Sequence, residues 1–184
     1  MKIRRIVFFF FLFSTFCIPL AFPLPAGDVQ LVTNDQYYKV ARDMIKDAKH
    51  SIRVMMFEMA YYDRHGSAPT NSLIRELVSA RKRGVKVEVI LEVREGQDRT
   101  TERNRRAGKM LSQGGVEVIY DSPSRTTHAK LMVVDEQIIL LGSTNWTYNA
   151  LSSNNEVAVR IRSKEAAKDV VEYFNKVKGT GSKK

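Results

Sequence analysis

From Val29 onward, apolar positions recur at spacings that switch between those of a helix and those of a strand. Val29–Val32 is a short strand candidate. Asn34 or Asp35 then caps a helix running to about Lys49, with Val40, Met44, Ile45 and Ala48 on one stripe. Ile52–Ala60 is apolar at nearly every position, the pattern of a strand covered on both faces. A helix near Asn71–Arg83 ends at Gly84, a candidate left-handed cap. Val85–Val93 alternates, with Lys86, Glu88 and Ile90 on its second face, and a helix over Glu102–Gln113 closes at Gly114-Gly115 before a strand at Val116–Tyr120. Two strands, Ala129–Val134 and Gln137–Leu141, flank a tight turn at Asp135-Glu136. A last strand, Asn155–Arg162, leads into an amphipathic helix over Lys164–Lys178. Strand–helix alternation followed by a late hairpin predicts an α/β/α sandwich around a mixed, mostly parallel central sheet.

The N-terminus has a different pattern. Lys2, Arg4 and Arg5 precede an apolar run from Ile6 to Ile18 that Pro19 interrupts. A basic stretch followed by an apolar one has the form of a secretory signal. Extended to Phe22, the run approaches the roughly 18–20 residues that span a bilayer. Residues 1–26 therefore read as a cleaved signal peptide or an uncleaved anchor, with residues 6–22 as the membrane tether. Either way the remainder is expected to be exported, to the periplasm or the medium, or held at the outer face of the inner membrane. The single cysteine, Cys17, lies in this segment, so the domain over residues 27–178 has no disulfide and no cysteine-based zinc site. Residues 179–184 read as a disordered tail.

Charge narrows the partners. The chain carries a formal +10, and only three of its cations lie in the first 26 residues. Such a surplus favours a polyanion, nucleic acid or an anionic membrane, over a neutral partner. Arg94, Arg99, Arg103, Arg105, Arg106 and Lys109 form a cationic stretch that reads either as a phosphate-tracking rim or as a solvated helix face. Arg81, Lys82, Arg83 and Lys86 allow the same two readings.

The chemistry concentrates between Thr127 and Glu156. On a strand, His128 and Lys130 project from one face, since side chains alternate with period two. Gly142 permits a sharp turn after the following strand, and Ser143 and Asn145, two apart, then present a hydroxyl and an amide to one spot. A nucleophile or proton shuttle, a fixed cation and two neutral hydrogen-bonding groups are the parts needed to attack a phosphodiester and spread its developing charge. Arg125, just before this stretch, is placed to reach a phosphate. Tyr61, Tyr62 and Trp146 are candidates for stacking on bases, although core packing is the commoner role of such aromatics. Glu58, at the end of an apolar run, either lines the pocket or forms a buried ion pair.

The pattern His128-x-Lys130-x4-Asp135-x6-Gly142-Ser143-x-Asn145 resembles the motif of the phospholipase D superfamily at every defined position, and Glu156 stands where its short members carry an acid. A single motif in a short chain with an export signal is most similar to the small bacterial endonucleases of that superfamily. The resemblance implies that His128 is the nucleophile and forms a phosphohistidine. It implies that Lys130 and Asn145 bind the phosphate oxygens, with Ser143 in support, that Glu156 accepts a hydrogen bond from the His128 ring, and that Asp135 is structural. It implies no metal and no cofactor, because cations and histidines do that work. The family mechanism uses two histidines, and neither His50 nor His65 sits in an x-Lys context. One motif therefore implies a homodimer with two His128 residues facing across a two-fold axis. The substrate expected first is DNA or RNA, cut without sequence preference. The alternatives are a phospholipase or phosphatidyl transferase acting on membrane lipid, and a non-catalytic nucleic-acid-binding module.

Overall fold

The computed structural model describes residues 28–96, 98–122 and 124–183; the stretch expected to be a signal or anchor, residues 1–26, lies outside them. The elements run β1 (Val29–Thr33), α1 (Gln36–Asp47), β2 (Ser51–Met56), α2 (Pro69–Lys82), β3 (Lys86–Leu91) and α3 (Arg99–Gln113). There follow β4 (Glu117–Tyr120), β5 (Lys130–Val134), β6 (Ile138–Gly142), α4 (Tyr148–Ser152), β7 (Val157–Arg162) and α5 (Lys164–Lys178). Of these, only the short helix α4 has no counterpart in the periodicity.

One seven-stranded sheet has the order β1-β7-β6-β5-β2-β3-β4. It is mixed, but mostly antiparallel rather than mostly parallel as expected. Only β2–β3 and β3–β4 run parallel, and the remaining neighbours are antiparallel. The reason is connectivity. Parallel pairing needs a crossover, and only α2 and α3 supply one inside this sheet. After β4 the chain returns through a loop and enters β5 against the direction of β2, and a two-residue turn then sends it back as β6.

Strand alternation assigns each face its cover. Ile52, Val54 and Met56 of β2 and Val87, Val89 and Leu91 of β3 join the larger core beneath α1, α2 and α3. Met55, Ile90, Ile119, Leu131 and Val133 join the smaller one, closed by Ala167 and Phe174 of α5. The layers are therefore unequal, with α5 alone on the second face. Glu88 lies on that face, the second face of the β3 alternation. It is buried and ion-paired with Arg53 at 3.3 Å, Lys86 at 3.0 Å and Lys178 of α5. Burial raises its pKa, but the lysines outweigh this and hold the carboxyl below its usual range.

Two local features keep the motif in register. Asp135 and Glu136 both have positive φ, 52° and 51°, the backbone of a type I′ hairpin turn. Gly142 was expected to permit a sharp turn, but its φ is not positive, and close approach is what requires it. A Cβ there would lie 2.3 Å from the Val157 carbonyl oxygen and 2.5 Å from the Ala158 Cα. At the other edge, residues 179–183 are not a free tail. Ser182 and Tyr120 exchange two backbone hydrogen bonds of 2.7 Å, which adds an isolated bridge to β4.

Candidate active site

The motif converges on one edge of the sheet, where β2 ends, β5 begins, β6 ends and β7 begins. Met56 pairs with Lys130 across β2 and β5, and the Phe57 amide donates to the Ala129 carbonyl at 2.9 Å. His128 is exposed and Lys130 buried, so a reactive ring sits over a fixed ammonium. As the period-two spacing predicts, both point to one side. Lys130 Nζ lies 3.3 Å from each His128 ring nitrogen and donates to the His128 carbonyl at 2.9 Å. The Phe57 ring forms the wall beside them. It is 4.4 Å from the His128 ring centroid, 4.7 Å from Lys130 Nζ and 5.3 Å from the Arg94 guanidinium carbon.

The electrostatics suit a neutral nucleophile. Desolvation and the charges of Lys130 and Arg94 lower the His128 pKa below the ordinary histidine value, leaving a ring nitrogen lone pair free at neutral pH. Desolvation likewise lowers the Lys130 pKa, opposed by Glu156 and Glu58. Glu58 is the ion pair weighed from the sequence: its carboxylate binds Arg103 of α3.

Asn145 follows at the same edge because Trp146 anchors it. The Trp146 amide donates to the Glu58 carbonyl at 2.9 Å, and the Ala60 amide donates to the Trp146 carbonyl at 2.8 Å. The Asn145 side-chain oxygen is buried and has no hydrogen-bond partner among the described residues. Such orphaned groups are costly and rare, and an N–H or O–H donor from a substrate or a facing chain would complete this one. Trp146 itself is corrected from substrate contact to core. It is fully buried, and its Nε1 donates to the Tyr37 hydroxyl at 3.2 Å, so no base can reach its ring. Burial pushes that Tyr37 hydroxyl up to about 12.

Glu156 also departs from its expected role. Its carboxylate accepts from the Ser143 hydroxyl and, at 3.1 Å, from Asn154 Nδ2, and it makes no hydrogen bond to His128. Ser143 is the nearer donor because β7 fixes it: the Val157 amide donates to Ser143 Oγ at 3.1 Å. Of the two expected caps of α1, Asp35 takes the N-cap position without a side-chain bond, and Asn34 accepts from the Glu156 amide at 2.9 Å. Arg125 is exposed on the loop before His128, in a cleft it shares with Thr127, Tyr173 and Lys176. Of the cationic stretch, Arg94, Arg103 and Arg106 pair with acids. Arg99, Arg105 and Lys109 have no acidic partner within salt-bridge distance among the described residues. Arg81 and Arg83 bind backbone carbonyls and Lys86 binds Glu88, so those three read as structural.

The family described as "Cardiolipin synthase, PLD-like domain" matches residues 41–178. The chain thus belongs to the phospholipase D-like family, whose members are phosphodiesterases and phospholipid-modifying enzymes. Among solved structures it is similar to Nuc, a phospholipase D family member from Salmonella typhimurium, with TM-score 0.72 and 25% identity; the match covers 85% of this chain and 97% of that one. NucT from Helicobacter pylori shares the fold, with TM-score 0.66, 18% identity and coverage of 85% and 98%. Among curated relatives, the mitochondrial cardiolipin hydrolase of Xenopus tropicalis is 30% identical over 141 residues, which are 76% of this chain. The chain spans 60% of that relative's length.

Sequence reasoning missed the scaffold behind the motif. Asn104 of α3 is fully buried; it accepts from the Met59 amide at 2.7 Å and donates to the Phe57 and Glu92 carbonyls at 2.8 Å, pinning the ends of β2 and β3. Its signal was available: it shares the buried stripe of Ala107, Gly108 and Leu111, where a polar residue needs a partner. Glu92 and Asp121, at the ends of β3 and β4, are both buried and both accept from the Thr127 amide, at 2.6 and 3.1 Å. They hold the residue before His128. Burial and the Asp121 carboxyl raise the Glu92 pKa to about 7, against the Thr127 amide and Arg94. The folded protein keeps a proton there that the unfolded chain releases, so stability falls as pH rises from the ordinary carboxyl range through about 7. Thermal melts of Glu92→Gln should be flatter across that window than those of the wild type. Equal slopes would remove the shared proton.

Proposed function

We propose that the protein is a metal-independent nuclease that cleaves DNA or RNA through a phosphohistidine, with an active site completed by a second copy of the chain. The observation that carries this reading is the placement of neutral His128 over the Lys130 ammonium, with the Asn145 amide at the same sheet edge. A His128 ring nitrogen attacks phosphorus, a P–N bond forms, and one P–O ester bond breaks. Lys130 and Asn145 bind the non-bridging oxygens, where charge accumulates. The leaving oxygen takes a proton from His128 of the partner subunit, which enters this step as imidazolium while the attacking ring is neutral. Water then attacks the phosphohistidine and returns a proton to that residue, which releases a phosphomonoester and free His128.

A second histidine within one chain is not at hand for this step. His50 precedes β2 at the end opposite His128, roughly 20 Å away by strand rise, and His65 shares no hydrogen bond with the site. An open, mainly apolar hollow of about 420 Å³ beside His128 supports a facing copy. Ala129, Leu141, Val170 and Tyr173 border it, and Leu141 and Tyr173 are 37% and 53% exposed. The basic surplus supports a polynucleotide, and the reading keeps the domain exported. Lipid phosphodiester is the second reading, favoured by the family description and by the relatives named cardiolipin hydrolase.

The deciding assay incubates full-length protein, in excess EDTA, with plasmid DNA, single-stranded DNA and cardiolipin vesicles, beside a His128→Ala variant. Cleavage of nucleic acid that falls steeply with salt and vanishes in the variant is expected. Hydrolysis of vesicles alone would assign the lipid reading. Retention of intact DNA by a folded protein that cuts neither would assign a binding module.

A further inference from the structure

A cleft of about 730 Å³ opens between the loop after β2, the start of α3 and the start of α4. Its walls include Tyr62, His65, Arg99, Arg103, Tyr148 and Asn149. We propose that this cleft is a nucleotide subsite, which holds one unpaired base and its adjoining phosphate next to the phosphodiester being cut. The inference rests on the nuclease reading and deepens it, because it makes single strands the preferred substrate.

The cleft is built for such a ligand. Its volume lies within the roughly 300–1,000 Å³ of small-molecule sites. Tyr148 is 52% exposed, yet its position is fixed: its amide donates to the Tyr62 hydroxyl at 3.1 Å, and Thr147 Oγ1 accepts from the Ala150 amide at 3.4 Å. An exposed ring on an ordered backbone offers a stacking face at little cost in entropy. Arg99 is exposed and has no carboxylate within salt-bridge distance among the described residues, which leaves it free for a phosphate. Asn149 and His65 can exchange hydrogen bonds with a base edge. A base already paired and stacked within a duplex presents neither its face nor its Watson–Crick edge to these groups, so stacking on Tyr148 requires an unpaired one.

Two links tie the cleft to the reaction centre. Tyr148 lies three residues beyond Asn145, and Trp146 and Thr147 between them are ordered. Arg103 in its wall binds Glu58, and the charge of Glu58 is close enough to act on Lys130. A strand with its phosphate on Lys130 therefore meets the cleft within a nucleotide or two.

The test measures fluorescence anisotropy of full-length protein in a His128→Ala background, which leaves the oligonucleotide intact. The probes are labelled dT nonanucleotide, dT dinucleotide and a nine-base-pair duplex. Tyr148→Ser should weaken the nonanucleotide about tenfold, within the range for one lost base–aromatic stack, and so erase most of its advantage over the dinucleotide. Tyr148→Phe should keep affinity within about twofold, since the ring face remains. Arg99→Ala should lower the salt slope for the nonanucleotide by about one. Unchanged affinity in both Tyr148→Ser and Arg99→Ala, with Tm unaltered, overturns the subsite, as does an equal loss for the duplex. Wild-type cleavage of the same nonanucleotide is followed in parallel. Its absence would sink the nuclease reading by itself, while the anisotropy still decides whether the cleft takes a nucleotide.

Discussion

Lys130→Met should reduce turnover by about a thousandfold or more while leaving the melting temperature unchanged or slightly raised. The activity loss follows from where the ammonium sits. Its Nζ is 3.3 Å from both ring nitrogens of His128 and 4.7 Å from the Phe57 centroid, and it is fixed before any substrate arrives. A preorganised cation aimed at developing negative charge is worth on the order of 10²–10³ in rate when even one neutral donor is lost, and a charge at a phosphoryl group should exceed that. The stability side has the opposite sign. Desolvation already disfavours the charged Lys130, so an apolar chain of similar length removes a cost and fills the same space. A structural role would instead appear as a lower Tm in step with the lost rate. There is an independent readout in His128 itself. Its pKa is held down by desolvation and by Lys130 and Arg94, so the methionine variant should show a His128 titration shifted upward by NMR. A stable variant with unchanged rate would take Lys130 out of the chemistry, and a fixed titration would mean that the two side chains do not interact as drawn.

Much of this arrangement is legible in the sequence, for a physical reason. Period-two spacing is a local property, so the juxtaposition of His128 with Lys130 follows once residues 128–134 are read as a strand. The same holds for α5, whose apolar stripe over Lys164–Lys178 matches the helix residue for residue. Direction within the sheet is not local. Nothing in the β5 sequence says that it enters beside β2 rather than beyond β4, and that choice turns a mostly parallel sheet into a mostly antiparallel one. Side-chain partners chosen by tertiary contact were equally hidden. Trp146 reads the same whether it meets a base or the Tyr37 hydroxyl, and Glu156 the same whether it binds His128 or Ser143. The acid pair Glu92–Asp121 joins residues nearly thirty positions apart through the Thr127 amide, which no periodicity could reveal. Asn104 was the exception, a polar residue on a buried stripe that announced an unmet need.

Asp135 shows how far from the reaction a motif position can act, and its replacement should give the largest loss of stability. Its carboxylate accepts from the amides of Lys49, His50 and Ser51 at 2.9, 2.7 and 2.9 Å, and these are the residues that lead into β2. Burial pulls its pKa up, but the three amides and nearby His50 outweigh that and hold the carboxyl below its ordinary value. Asp135→Ala leaves the partly buried Ser51 amide and the exposed amides of Lys49 and His50 without their acceptor, and places a residue with no side-chain acceptor at a φ of 52°. At ~1–3 kcal/mol for the partly buried Ser51 amide, less for the two that water reaches, and with left-handed backbone strain added, the loss should reach about 2–3 kcal/mol. Asp135→Asn tolerates that φ and keeps one acceptor, so about half of the loss should return. The pH dependence has a definite sign. A carboxyl lowered by folding contributes stability that is present above its unfolded pKa and disappears as pH falls through the folded one. Denaturant titrations should therefore show the gap between wild type and Asp135→Ala narrowing from pH 6 towards pH 3, by roughly the part that the charge contributes. A gap constant over that range would mean that the turn geometry, and not the charge, holds the start of β2. Because β2 carries Phe57 at its other end and pairs with Lys130 through Met56, partial loosening at Asp135 should also slow turnover at temperatures well below the melt. Activity that stays at the wild-type level until global unfolding would show that the two ends of β2 are independent.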